Sequence, residues 1–250
     1  MAWLVAAPAQ AYLIDLNDAR TVEPGTMELE LQPIGYSQTL IGEQEQYLLA
    51  PSAQLYAGLA EHWDVLFLTR GYVRLHDDPE QAPYSLNEQF IALRRVLVPG
   101  AYSDEELEGP SLAAQLGVLL PGVEAEEGVG TSIGLLFAWQ TDLGCVHANV
   151  WWSFTQDQTH DVFTSVAYEG PPDWPVRPTA ELYVDVDDGA PYVSGLIGAV
   201  GTVTEEFALQ AGVRVGGWED YADLEVRLSS WIYWELPGVS DTSEDDESED

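Results

Sequence analysis

Apolar and polar residues alternate along most of the chain, and residues 223–236 show the pattern most clearly. Five apolar residues of this segment fall on one face: Leu224, Val226, Leu228, Ile232 and Trp234. Because the side chains of a β-strand point alternately to two faces, the segment is predicted to be a strand with an apolar and a polar side. Trp231, Tyr233 and Trp234 gather at its end, as aromatic girdles do at a membrane surface.

About twelve such segments, mostly of roughly ten to fourteen residues, follow Pro24-Gly25, with turn residues between them. They cover about residues 26–36, 47–59, 63–75, 84–97, 111–120, 129–140, 145–155, 161–169, 179–186, 191–203, 207–216 and 223–236. Segment 84–97 alternates less cleanly, and its pattern also allows a short helix. No helical period is sustained along the chain, which argues against βαβ folds and helical bundles.

Two all-β architectures produce this alternation. In a β-sandwich the apolar faces meet in a core, whereas in a membrane barrel they meet lipid and the polar faces line a lumen. The segments are long for a sandwich, their aromatic residues cluster near the ends, and their polar faces mix arginine with acid. We therefore predict an all-β fold, an antiparallel transmembrane β-barrel of about 12 strands. The alternative is a soluble β-sandwich or soluble barrel.

The charge of the chain limits its partners. It has 43 acidic residues, eight arginines and no lysine, and its net charge is −35. Nucleic acid is excluded as a partner, because binding it needs clustered positive charge. The single cysteine, Cys145, excludes an intrachain disulfide and a cysteine-rich metal site. No apolar run reaches the roughly 18–20 residues of a membrane-spanning helix, whereas barrel strands need only about 9–11.

The two ends of the chain differ from the alternating part. Residues 1–11 are apolar and end in Ala9-Gln10-Ala11, the pattern of a cleavage site, so they are predicted to be the remnant of a signal peptide. Residues 12–25 then form an N-terminal segment, and residues 26–236 form the barrel. Residues 237–250 are acidic and of low complexity, which predicts a disordered tail.

Short motifs spread over residues 23–236 also resemble those of a known family. They are Glu23–Glu30, Tyr56–Leu59 with Trp63–Val65, Leu119–Pro121 with Gly128–Ser132, His147–Asn149, Glu181, Gly195–Ala199, Ala211–Arg214 and the closing strand. In these motifs the chain is similar to the outer-membrane β-barrels assigned as transporters of the phenol-degradation meta-pathway type. The resemblance implies a barrel in the bacterial outer membrane that passes or binds a small molecule. Two features depart from the family: the acidic tail follows the closing strand, and lysine is absent.

The polar faces supply ten candidate residues for the lining of a lumen. They are Glu28, Glu30, Arg70, Arg74, His147, Asn149, Glu181, Arg214, Glu225 and Arg227. We expect a narrow polar interior in which the excess of acid favours cations or neutral solutes over anions. Ser153 shares a strand face with His147 and Asn149, but no register of nucleophile, base and oxyanion donors is evident, so we expect no enzyme. No spacing of histidines or acids matches a metal site, and no cofactor is expected.

The sequence thus predicts an outer-membrane channel or transporter for a small solute, with the lipid bilayer and that solute as its partners. Two alternatives stay open: a structural outer-membrane barrel with a plugged lumen, and a secreted soluble β-protein that binds a ligand or partner. The directions of Trp152, Leu182 and Val226 test the soluble alternative, because these side chains face outward only in a membrane barrel.

Overall fold

The strands of this protein form one closed barrel. A computed structural model describes residues 18–41, 44–75, 82–100, 109–125, 127–219 and 221–236. The strands in these residues are β1 (Thr26–Ile41), β2 (Gln44–Leu49), β3 (Ser52–Ala60), β4 (Trp63–Arg74), β5 (Tyr84–Val98), β6 (Gly109–Leu120), β7 (Gly130–Thr141), β8 (Gly144–Phe154), β9 (His160–Glu169), β10 (Val176–Asp187), β11 (Ala190–Thr204), β12 (Phe207–Trp218) and β13 (Tyr221–Glu235). From β3 onward each strand pairs antiparallel with the next. The barrel closes because β13 also pairs with β1, from Thr26 opposite Glu235 to Ile41 opposite Tyr221.

Strands β2 and β3 together make one spanning strand. Both pair with β1, β2 along residues 36–41 and β3 along residues 27–32, and both pair with β4. The interruption falls at Ala50-Pro51, where proline has no backbone N–H for the ladder. The facing strand bulges between Leu31 and Ile34, and Gln32 Nε2 donates a hydrogen bond to Ala50 O at 3.0 Å. The barrel therefore has twelve spanning strands, and the predicted architecture is confirmed.

Two segments differ from their sequence-based predictions for physical reasons. Strand β1 runs on past residue 36 to Ile41, because its backbone keeps pairing with β2 and β13 although the side chains there are mostly polar. Segment 84–97 is strand β5, so a helix there is wrong. Its pattern is irregular because Arg94 points inward while Arg95 points outward over the ring of Trp63, 5.0 Å from the ring centroid. Among the described residues, no helix is long and apolar enough to cross a membrane.

The outward face of the barrel is apolar. Leu182 is 58 % exposed, Trp152 45 % and Val226 42 %, so all three point away from the interior. The polar residues that alternate with these apolar ones face inward, and Glu225 and Arg227 are two buried examples. A soluble protein would have the reverse arrangement, because it buries its large apolar side chains. The prediction of a membrane barrel is therefore confirmed, and the soluble sandwich is wrong.

Aromatic residues frame the apolar surface at both ends. We call the end where Thr26 pairs with Glu235 the terminal end and the opposite one the far end. Exposed aromatic residues near the terminal end are Trp139, Tyr168 and Trp174. Exposed aromatic residues near the far end are Tyr84, Trp152 and Trp218. Two such girdles on either side of an apolar surface are typical of barrels that span a membrane.

Candidate solute pathway

The ten residues that the sequence proposes for the lumen all lie on the inward face of their strands. Eight of them are buried: Glu28, Glu30, His147, Asn149, Glu181, Arg214, Glu225 and Arg227. Arg70 and Arg74 are partly buried. Arg74 lies nearest the far end, where its guanidinium donates a hydrogen bond to the carbonyl of Ala82. The interior is thus packed with polar side chains.

Arginine–carboxylate pairs occupy the half of the interior toward the far end. Arg70 lies directly across from Glu88, with Nη1 and Oε1 3.1 Å apart. Arg214 Nη2 lies 3.6 Å from Glu181 Oε2, across the intervening strand β11. Pairing offsets the cost of removing these charges from water.

Arg227 pairs within its own strand, where its Nη2 donates a hydrogen bond to Glu225 Oε2 at 2.5 Å. The residue directly opposite Arg227 on β1 is Gly35, whereas Glu28 and Glu30 are opposite Tyr233 and Trp231. Glu30 is nevertheless close enough to interact electrostatically with Arg227.

A second group of charges lies near the terminal end. Asp64 and Arg94 are directly opposite on β4 and β5, and both side chains are fully buried. Arg177 Nε donates a hydrogen bond to Glu169 Oε1 at 2.5 Å. Sequence reasoning missed these four residues. The sequence contained one clue to them: Asp64 and Arg94 are charged residues at inward-facing positions of strands that are otherwise largely apolar.

The N-terminal segment, residues 18–23, lies inside the barrel among these charges. Asp18 is 3 %, Ala19 0 % and Val22 3 % exposed. Arg94 Nη1 donates a hydrogen bond to Asp18 O at 3.0 Å, and the backbone N–H of Val22 donates to Asp64 Oδ2 at 3.0 Å. The Asp64–Arg94 pair therefore holds the segment at two points. The segment therefore occupies part of the barrel interior at this level.

Gly58 leaves the space in which the backbone of the segment enters the barrel. Pro24 forms a parallel bridge with Gly58, so the chain crosses this point just before β1 begins. A Cβ at position 58 would lie 1.8 Å from Glu23 O and 2.7 Å from Val22 O. Only a residue without a side chain permits this approach, because real Cβ atoms do not come so close to backbone atoms.

Apolar side chains surround the segment on the inside. Val22 belongs to a buried cluster with Tyr56, Leu66, Phe90 and Trp231, among others. Trp231 therefore points inward and does not belong to the girdle to which the sequence assigned it. Alternation places Trp231 on the same face as Glu225 and Arg227, but which residues pack together in this cluster depends on the strand register, which the sequence pattern did not reveal. The lumen wall is consequently both polar and aromatic.

The polar residues of β8 do not assemble a catalytic group. Ser153 Oγ donates a hydrogen bond to Ser132 Oγ at 3.1 Å, whereas His147 faces Asp18. His147 and Ser153 are six residues apart on one strand, which separates them by about 20 Å. His160 on β9 points outward and stacks on Trp152 with ring centroids 5.6 Å apart. The two histidines therefore do not face each other.

Together, the closed sheet, the outward apolar surface and the polar interior define the class of fold: a membrane-spanning β-barrel of porin-like architecture. No protein-family model matches the chain, and no curated protein matches its sequence.

Solved structures match the fold. An outer membrane channel from Pseudomonas putida F1 is similar with a TM-score of 0.63 and 9 % identity, over 89 % of this chain and 100 % of that chain. The β domain of the Bordetella autotransporter Brka matches with a TM-score of 0.51 and 9 % identity, over 84 % and 99 % of the two chains. The KdgM porin in complex with disordered oligogalacturonate matches with a TM-score of 0.50 and 9 % identity, over 81 % and 98 %. At such identities the likeness extends to the fold alone, and the prediction of an outer-membrane barrel is confirmed at that level.

Proposed function

We propose that the protein is an outer-membrane channel for a small solute and that its N-terminal segment is the gate. The observation that supports this most directly is the docking of Asp18 and Val22 onto Arg94 and Asp64 inside the lumen. A segment with no strand pairing beyond the Pro24–Gly58 bridge can leave without breaking the sheet. The wall would then remain intact around a continuous polar path.

The solute pathway runs past the ten inward residues of the polar faces. Arginine pairs with acid at several levels of this path, and further acids, Asp161, Asp185 and Asp223, lie on the same inward face near the far end. The excess of acid favours cations and neutral solutes over anions. The partners of the protein are then the lipid bilayer of the outer membrane and the solute.

The chemistry of the solute is inferred from the charged and aromatic side chains that together line the interior of the barrel. Two aromatic side chains inside the barrel, the buried Phe90 and the partly buried Trp151, have ring centroids 6.4 Å apart. A solute with an apolar part and a polar or cationic part fits both surfaces. The resemblance to transporters of the phenol-degradation meta-pathway type agrees with a small organic solute.

Planar-bilayer recording tests the proposal. The full-length protein and a variant lacking residues 1–22 are inserted separately, and a variant lacking residues 237–250 serves as the matched control for truncation. We expect the first deletion to raise single-channel conductance and the second to leave it unchanged, with cations preferred over anions in salt gradients. If the barrel without residues 1–22 does not conduct, the proposal is wrong, and a structural barrel with a permanently filled lumen is the better description.

A further inference from the structure

We infer that a cluster of aromatic rings and carboxylates at the far end of the barrel binds small organic ammonium ions. This cluster, which we call the mouth cluster, consists of Asp161, Phe163, Tyr183, Asp185 and Tyr192. All five side chains point inward and are partly exposed, so a solute that enters from the far end can contact them. The inference rests on the proposed function and deepens it, because it names the class of solute that the channel admits.

The carboxylate of Asp185 lies among three aromatic rings. Asp185 is directly opposite Phe163 on β9 and Tyr192 on β11. Side chains that face each other across strands have Cβ atoms about 4.5–5.5 Å apart. Tyr183 lies on the same face of β10, and its ring centroid is 5.1 Å from that of Phe163 and 5.6 Å from that of Tyr192. The pairing of the three strands therefore builds a partial aromatic cage around one acid.

An aromatic cage with a carboxylate suits an organic cation. The face of an aromatic ring carries negative charge density, and aromatic cages recognise ammonium groups in other proteins. A carboxylate adds ionic attraction, which is stronger in a partly buried site than in water. A metal ion needs several oxygen or nitrogen ligands instead. The described residues contain no group of three or more acidic, histidine or cysteine side chains that could hold one.

The carboxylates of the mouth cluster also have no arginine partner. Elsewhere in the interior arginine is paired with acid, as Arg70 is with Glu88. Asp161 and Asp185 are instead close enough to interact with each other, and within the described residues neither forms an ion pair with an arginine. Two neighbouring carboxylates repel each other, and a bound cation offsets that repulsion. The charge of the site therefore favours a cationic ligand.

A buried polar group beside the rings lacks a partner as well. Ser165 is directly opposite Tyr183 and points inward. It is 3 % exposed, and its hydroxyl has no hydrogen-bond partner among the described residues. Buried polar groups are normally hydrogen-bonded. An N–H group of a bound ammonium ion can donate the missing hydrogen bond.

Contacts outside the mouth cluster hold its rings in position. Tyr192 Oη donates a hydrogen bond to Asp223 Oδ1 at 2.6 Å. The Arg214 guanidinium lies over the ring of Tyr183, with Cζ 4.5 Å from the ring centroid. Glu181 Oε2 lies 3.6 Å from Arg214 Nη2 and offsets its positive charge. The arginine thus fixes one ring without cancelling the attraction of the site for a cation.

Equilibrium binding to the full-length protein in detergent micelles tests the site without requiring conduction. The probe is benzylammonium, and benzyl alcohol is its neutral counterpart of nearly the same size. We expect calorimetry, corrected for empty micelles, to show saturable binding of benzylammonium and none of benzyl alcohol. Asp185→Asn should weaken this binding about tenfold, a value between those of a charge pair in water and in a partly buried site. Phe163→Leu keeps both carboxylates and should weaken it about threefold.

Asp188→Asn is the matched control for the loss of charge. It removes a carboxylate from the exposed turn after β10, where φ is 47° and asparagine is well tolerated. This variant should bind benzylammonium as the native protein does. Equal weakening in Asp185→Asn and Asp188→Asn, equal binding of the two probes, or no saturable binding would overturn the inference. Phe163→Leu remains informative if Asp185→Asn does not fold.

Planar-bilayer recording of the same protein distinguishes failure of the site from failure of the channel. A barrel that binds benzylammonium through Asp185 but never conducts supports the site and contradicts the proposed channel. A barrel that conducts but does not bind benzylammonium supports the channel and overturns the site.

Discussion

Replacing Gly58 with alanine should expel the N-terminal segment from the lumen. The added Cβ would lie 1.8 Å from Glu23 O. Because nonbonded heavy atoms prefer about 3.5 Å, the segment must move by more than about 1 Å. That shift breaks the hydrogen bond from Val22 N–H to Asp64 and uncovers Val22, which is 3 % exposed when docked. Losing the bond to a charged acceptor costs about 1.5 kcal/mol and uncovering valine about as much again. The sum, about 3 kcal/mol, shifts the docking equilibrium about a hundredfold.

Limited trypsin digestion measures this shift. The chain has no lysine, and Arg20 is the arginine of the docked segment, so cleavage after Arg20 reports the undocked population. Gly201→Ala is the matched control, because its Cβ would meet only Leu209 O, at 3.9 Å. We expect mass spectrometry to show much faster cleavage after Arg20 in Gly58→Ala than in the native protein or the control. Equal rates in all three proteins would refute the idea that Gly58 is needed for docking.

Three further substitutions test other parts of the structure. Leu182→Arg places a charge on the outward face and should lower the free energy of unfolding in lipid vesicles by about 2–4 kcal/mol, as measured by urea titration. An unchanged urea midpoint would argue that this face does not contact lipid. Asp64→Asn leaves the buried Arg94 guanidinium without its carboxylate, so we expect the free energy of unfolding to fall by about 3 kcal/mol and cleavage after Arg20 to become faster. Neither effect should occur if the pair does not hold the segment. Arg214→Gln removes the positive charge beside Glu181 and should increase the selectivity of the channel for cations over anions, as measured by reversal potentials. Unaltered selectivity would mean that ions do not pass this level of the barrel.

Local sequence chemistry accounts for the strands and their turns. Alternation placed Leu182 and Val226 on the apolar face and Glu225 on the polar face of their strands, because a period of two needs no tertiary information. The Asp188-Gly189 turn between β10 and β11 has a local cause as well, since Asp-Gly favours a tight hairpin. Both residues have positive φ, 47° and 82°, as a tight hairpin turn requires.

The interior pairs could not be predicted in the same way. Asp64 and Arg94 are thirty positions apart, and a shift of one residue in the β4–β5 register would separate them. The position of the N-terminal segment was also out of reach, since residues 18–23 carry no strand pattern, and their place depends on the Asp64–Arg94 pair and on the space left by Gly58. Of the predictions for the chain ends, residues 1–11 and 237–250 lie outside the described residues and stay predictions.

The sequence by itself determined that this chain forms strands with one apolar and one polar face, because the side-chain alternation of a strand is a local property. The tertiary structure decided that the strands close into one barrel with the apolar faces outside, which inward charges meet, and that Asp18 and Val22 lie inside the barrel. These outcomes depend on strand register and on the width of the closed barrel, which arise only when all twelve spanning strands are paired.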